Sequence, residues 1–199
     1  MLKLTGNSDE SIKQDKLKSL GSATQLSDKS IYKIYKDLPG NIWLGTNRGL
    51  FRYNGYLEEI TENSRLPMHQ VTDITSDDQG NIWVSTYRNG FYQIAQGKFI
   101  TYSDAQGLAG KTVYGVIESK EDSSIIIATD NGLSRYKKDW NFFPFEINGK
   151  PFLKGKDVRD LYQDSKGNYW FATTNKLYNY TYEQELKIYS TTNGLISDY

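Results

Sequence analysis

The chain reads as short apolar stretches broken by glycine-containing turns, and the same order of stretches comes round four times. Each unit opens on two apolar residues three positions apart: Ile31/Ile34, Val71/Ile74, Tyr114/Ile117 and Val158/Leu161. A polar turn follows, as in Asp37-Leu38-Pro39-Gly40-Asn41 and Asp77-Asp78-Gln79-Gly80-Asn81. Asp bonds its own backbone in such turns, and Gly supplies the positive φ that a tight hairpin needs. Next comes a stretch ending in threonine: Gly40-Asn41-Ile42-Trp43-Leu44-Gly45-Thr46, Gly80-Asn81-Ile82-Trp83-Val84-Ser85-Thr86, Gly167-Asn168-Tyr169-Trp170-Phe171-Ala172-Thr173, and the weaker copy Ser123-Ser124-Ile125-Ile126-Ile127-Ala128-Thr129. A glycine at 49, 90 or 132 then leads into a third stretch ending near Tyr53, Ile94 or Tyr136. A fourth is more variable, with candidates at 56–60, 98–102, 141–145 and 186–189. Strands this short, with no run of period 3.6 inside the units, predict an all-β chain.

The four threonines stand 40, 43 and 44 residues apart. That is the length of one four-stranded blade of a β-propeller. A single blade cannot bury both faces of its sheet, whereas stacked blades bury each sheet against its neighbours. Trp43, Trp83 and Trp170 hold one repeated position, so they are expected to fill the gaps between blades; the third unit has Ile126 there and lacks the turn glycine. Residues 26–199 are therefore read as about four blades of four antiparallel strands, with a fifth begun at Asn193-Gly194-Leu195, and residues 1–25 as a linker or the worn end of a preceding blade. With both ends interrupted, the expected object is an incomplete, open part of a larger propeller. Its outermost blades would expose apolar faces and invite association. In the fourth unit Lys176 stands where the others place glycine, and Asn175 is expected to take the left-handed residue of that turn instead.

Composition narrows the chemistry. Lys+Arg and Asp+Glu both number 24, for a formal net charge of zero. A nucleic-acid binder or a polybasic membrane patch would need a basic face. There is no cysteine, which removes disulfides and thiolate metal sites. No apolar run is long enough for a signal peptide or a membrane span.

Candidate sites are few, and no residue is assigned to catalysis, a cofactor or a metal. His69 is the only histidine, and a triad or a multi-histidine metal site cannot be built from one imidazole. Gly110-Lys111-Thr112 resembles the end of a phosphate loop, but Ala105 stands where that motif needs glycine. The pairs Asp77-Asp78 and Glu121-Asp122 fall in turns and read as turn formers before calcium ligands. Asn179-Tyr180-Thr181 matches a glycosylation sequon too short to carry weight. Tyr35, Tyr87, Tyr114 and Tyr162 lie on or near the inner strands and could stack on a sugar ring. No carboxylate repeats on the inner strands, which is what a glycosidase would need.

The pattern apolar-x-x-Ile-x-x-Asp-x-x-Gly-Asn-Ile-Trp-apolar-Gly-Thr-x-x-Gly-Leu-x-x-Tyr, best seen over residues 31–53 and again over 71–94 and 158–180, resembles the two-component regulator propeller repeat. The resemblance implies a ligand-sensing propeller from the extracytoplasmic part of a bacterial membrane histidine kinase, responding to glycan fragments. Related arrays precede other output domains, diguanylate cyclases among them. It implies no enzyme activity in this segment, no cofactor, a periplasmic location, and as partners a small-molecule or oligosaccharide ligand, flanking repeats, signalling domains and a second copy. A propeller lyase or glycosidase fragment and a protein–protein scaffold are the competing readings, because fold alone does not separate them.

Overall fold

The computed structural model describes residues 23–60, 69–137 and 141–197. A single helical turn, α1 (Ala23–Leu26), precedes the first sheet. Four four-stranded antiparallel meanders follow. The first blade holds β1 (Ile31–Lys36), β2 (Ile42–Thr46), β3 (Gly49–Tyr53) and β4 (Leu57–Glu59). The second holds β5 (Val71–Ser76), β6 (Ile82–Thr86), β7 (Phe91–Ala95) and β8 (Lys98–Tyr102). The third holds β9 (Val113–Glu118), β10 (Ile125–Thr129), β11 (Gly132–Lys137) and β12 (Asn141–Pro144). A small hairpin of β13 (Glu146–Ile147) and β14 (Lys150–Pro151), absent from the repeat pattern, separates it from the fourth: β15 (Val158–Gln163), β16 (Tyr169–Thr173), β17 (Leu177–Tyr180) and β18 (Leu186–Tyr189). The first strands β1, β5, β9 and β15 pack in succession along the inner side of an arc that stays open. Of the expected segment 1–25, residues 1–22 lie outside the described residues.

The core is three inter-blade layers. In the first, Trp43 buries against Val71, Ile74 and Val84 of the second blade. In the second, Trp83 joins Phe91 and Tyr102 and meets Val113, Val116 and Tyr136 of the third. In the third, Ile126 and Ala128 meet Val158, Leu161 and Phe171 of the fourth. Each of the first three blades thus turns its tryptophan position toward the next blade, and each of the last three turns its inner apolar pair toward the preceding one.

A buried indole N–H needs an acceptor, and leaving it without one costs about 1–3 kcal/mol. The turn aspartate supplies it. Trp43 Nε1 donates to Asp37 Oδ2 at 2.8 Å, Trp83 Nε1 to Asp77 Oδ2 at 3.0 Å and Trp170 Nε1 to Asp164 Oδ2 at 3.2 Å. The same carboxylates take the backbone N–H and side-chain amide of Asn41, Asn81 and Asn168. The motif Asp-x-x-Gly-Asn-x-Trp is therefore one hydrogen-bonded unit.

Two expectations need correction. The inner apolar pair of the third unit is Val113/Val116, both buried, and not Tyr114/Ile117. Thr129 faces Val113 as Thr46, Thr86 and Thr173 face Ile31, Val71 and Val158. A one-residue slip exchanges the two faces of a strand, and here both registers offered apolar residues. In the fourth blade neither Asn175 nor Lys176 has a positive φ. Thr173 closes that turn instead, donating its N–H to the Lys176 carbonyl at 2.9 Å and accepting the Lys176 N–H on Oγ1 at 3.1 Å. At the equivalent Gly132 (φ +117) a Cβ would lie 2.9 Å from the Leu153 carbonyl. Lys176 is exposed and meets no such crowding.

Candidate functional site at the inner strands

Every inner strand breaks its ladder at the same place. Pairing skips Tyr32, Thr72, Tyr114 and Arg159 in turn. A β-bulge leaves one residue outside the ladder and re-aims its side chain, a device common beside binding sites. The four bulged residues stand where the inner strands begin, at one mouth of the arc. Only Tyr114 among them stood out in sequence, because a bulge suspends the two-residue period that sequence reading relies on.

Each bulged side chain meets a different environment. Tyr32 is exposed on the free side of the first blade. The Thr72 hydroxyl reaches across to the Val113 carbonyl and lies 2.9 Å from Ser85 Oγ. The Arg159 guanidinium stacks over the Tyr114 ring, 4.5 Å from its centroid, and Nη2 holds Asp157 Oδ2 at 2.6 Å. Asp157 Oδ1 is buried without a hydrogen-bond partner among the described residues. Burial pushes the Tyr114 hydroxyl up, Asp157 adds to the shift and Arg159 opposes it. Tyr87, in the adjoining turn, carries Arg88 at 5.0 Å. Aromatic faces and a fixed guanidinium are groups that bind a polar ring: they stack and donate.

The next position along the inner strands reads Lys33, Asp73, Gly115 and Asp160. A carboxylate does repeat there, against the expectation from sequence. Its role is structural in the second blade. Asp73 Oδ1 accepts Ile74 N at 2.8 Å, Oδ2 accepts Val116 N of the third blade at 3.0 Å, and Lys33 of the first blade pairs with Oδ1. Burial pushes the Asp73 carboxyl up, against the pull of Lys33. One side chain so ties three blades.

The other residues weighed from sequence scatter. Tyr35 packs in the first layer with its hydroxyl 2.6 Å from Ser76 Oγ, and Tyr162 lies exposed on the outer face of the fourth blade. His69 precedes β5, where its carbonyl accepts the Gly49 N–H and burial lowers its imidazole pKa. Lys111 leads into β9, a strand, so Gly110-Lys111-Thr112 has no helix N-terminus behind it. Asp77 holds the Trp83 staple, and Asp122 accepts Ser124 N and Oγ. Among the described residues no three His, Cys, Asp or Glu side chains gather as metal ligands, and no helix is long and apolar enough to cross a membrane. At the opposite rim a cleft of about 430 Å³ opens between the third and fourth blades, lined by Glu121, Arg135, Tyr169 and Tyr182.

A family model described as two component regulator propeller matches residues 65–88 and 153–175. Both stretches run from the approach to an inner strand to the end of the second strand. The chain carries two component regulator propeller repeats. These repeats superpose on an extracellular domain of a hybrid two component system from B. thetaiotaomicron with a TM-score of 0.70 at 21% identity, over 85% of this chain and 24% of that one. The virginiamycin B lyase of Staphylococcus aureus follows at 0.60 and 18%, over 82% and 56%. PorZ of Porphyromonas gingivalis, a surface component of the type-IX secretion system, gives 0.64 and 16%, over 84% and 28%. At these identities the likenesses show the propeller fold, and the chain spans between about a quarter and just over half of those proteins. No curated protein matches the sequence.

Proposed function

We propose that the chain is a ligand-binding segment of an extracytoplasmic, periplasmic sensor propeller in a bacterial two-component system, without catalysis of its own. The observation that carries this reading is the pair of matched regulator-propeller repeats, whose inner strands each bulge at their start, at Thr72 and Arg159, as the third blade's does at Tyr114. The ligand class is an oligosaccharide fragment, held by stacking on Tyr114 and Tyr87 and by hydrogen bonds from Arg159. Kinase output belongs to other parts of a parent protein. The fold likeness to a lyase adds no chemistry here, because function rests on sites and not on folds.

The test is calorimetric titration with neutral and uronate-containing disaccharides, with product analysis by chromatography in parallel. Binding without turnover, weakened tenfold or more in Tyr114→Ala and Arg159→Ala, is the expected result. Saccharide cleavage, or binding indifferent to both substitutions, overturns it.

A further inference from the structure

The two end faces of the arc carry complementary halves of the interface that the blades use internally. In each internal layer an inner apolar pair is buried by the preceding blade: Val71/Ile74, Val113/Val116 and Val158/Leu161. The corresponding pair of the first blade, Ile31/Ile34, is 45% and 52% exposed. At the other end the fourth blade presents Trp170, stacked on Tyr189, with Tyr162 61% exposed. These are the two surfaces that meet wherever one blade packs on the next.

The polar staple says which blade fits. Where the third inner position is an acid, it serves its own strand first: Asp73 takes Ile74 N and Asp160 takes Leu161 N, each at 2.8 Å. The third blade has Gly115 and no acid of its own, so its Val116 N–H goes to Asp73 of the blade before it. The first blade has Lys33 at that position and also lacks an acid. By the same register its Ile34 N–H points inward, with no carboxylate from its own strand. Asp160 Oδ2, meanwhile, takes no donor among the described residues and lies on the exposed end. Acid-bearing fourth blade against acid-lacking first blade repeats the pairing of second against third.

We propose that the fourth blade of one copy docks on the first blade of a second copy, head to tail, with Asp160 accepting the Ile34 N–H of that copy and Tyr162 and Trp170 covering its Ile31 and Ile34. A blade with its own acid at the third position would satisfy itself and leave Asp160 unmatched, which is why the first blade is the occupant. Such an interface is heterologous, so each copy keeps one head and one tail, and association closes into a ring or grows into a filament.

The experiment is sedimentation velocity with light scattering on the 199-residue chain across a concentration series. The chain is expected to associate in a concentration-dependent way. Asp160→Ala weakens this by about tenfold, the order expected for losing a charge-assisted hydrogen bond. Ile34→Arg abolishes the head, and Asp160→Ala combined with Tyr162→Arg abolishes the tail. Each of these two variants should be monomeric with an unchanged thermal melt. Mixed in equal amounts, they should form a one-to-one dimer through the surviving head and tail and grow no further. A monomeric parent chain, association untouched by either variant, or a mixture that stays monomeric overturns the proposal. The parent's monomeric outcome would mean that these faces serve blades of a longer chain. Saccharide binding is read separately, so its failure leaves this result standing.

Discussion

The second and third blades share a register and differ in what holds their first hairpin. In the second, Asp77 gathers Asn81 and the Trp83 indole, and Gly80 turns with φ +78. In the third, Ser119 stands in for the aspartate, Ser123 for the glycine and Ile126 for the tryptophan. With no indole N–H to satisfy, no carboxylate is needed, and the Ser119 hydroxyl pairs instead with Tyr169 of the next blade at 2.6 Å. The turn still closes, with Ser119 N–H donating to the Ser124 carbonyl and Ser123 N–H to the Ser119 carbonyl. The repeat is thus a set of linked choices: the acid is present because the indole is, and both leave together. What survives their loss is the ladder and the apolar face.

The largest effect should come from the tryptophan itself. Trp83 is 1% exposed and stacks on Phe91 and Tyr102. Trp83→Ala should cost about 3–5 kcal/mol, as large-to-small changes in a filled core do. Trp170 holds the same position but is only partly buried, so Trp170→Ala should cost roughly half as much, in proportion to the apolar area it hides. Urea denaturation of both variants checks this. Equal losses would mean that the staple, and not the inter-blade layer, sets the energy.

This difference explains how much was legible. The turn aspartates, glycines and tryptophans recur at fixed offsets because a hydrogen-bonded unit fixes them, and from them four blades could be counted. The inner strands hid more. Val113-Tyr114 and Val116-Ile117 offer two apolar registers, and only packing against Ile125 and Ile127 chooses between them. The bulged Tyr32, Thr72 and Arg159 share a place and no chemistry, so sequence could not align them. Asp73 and Asp160 went unseen for the same reason, since Lys33 and Gly115 break the column. The β13–β14 hairpin belongs to no repeat at all, although Phe145 and Ile147 close the third layer with it.

The link between acid and indole can be tested in the third blade. Ser119→Asp alone buries a carboxylate where no indole waits and should cost about 1–3 kcal/mol. Ile126→Trp alone overfills a site that is fully buried and should cost a similar amount. Together they rebuild the unit of the second blade, and the double variant should be more stable than the sum of the two by about 1 kcal/mol. Additive losses would show that the two positions are independent.

Acid titration separates the blades more gently. Burial opposes ionisation of Asp164, but hydrogen bonds from Asn168 and then Trp170 outweigh it and hold the pKa at about 2. Asp37 is held low in the same way, against its burial, by Trp43 and Asn41. An unfolded aspartate titrates near 3.9, so the folded value lies below the unfolded one. The stabilisation is complete above about pH 4 and is lost as the pH falls toward 2. Asp164→Asn should flatten the fall in stability across that window, whereas Ser119→Ala, which removes no acid, should leave its slope unchanged. Denaturation curves at half-unit steps from pH 5 to 2 read both, and an unaltered slope in Asp164→Asn would remove the carboxylate from the account.

The smallest expected effect lies in the turn of the third blade. Ser123 has φ +52, a left-handed conformation that costs a residue with a Cβ about 1 kcal/mol or somewhat more. The second blade places Gly80 there, with open space around the missing Cβ. Ser123→Gly removes the strain, but it also frees the unfolded chain, and that entropy works against the gain. The Ser123 hydroxyl sits 3.4 Å from Asp78 Oδ2, too long and too exposed to count for much. The balance favours glycine by up to about 0.5 kcal/mol, while Gly80→Ser in the second blade should cost about as much as the strain itself. A pair of thermal melts decides. If Ser123→Gly destabilises the chain, the hydroxyl or the stiffness of serine matters more than the strain. The third blade would then be held by contacts of its own, and not by what remains of the repeat.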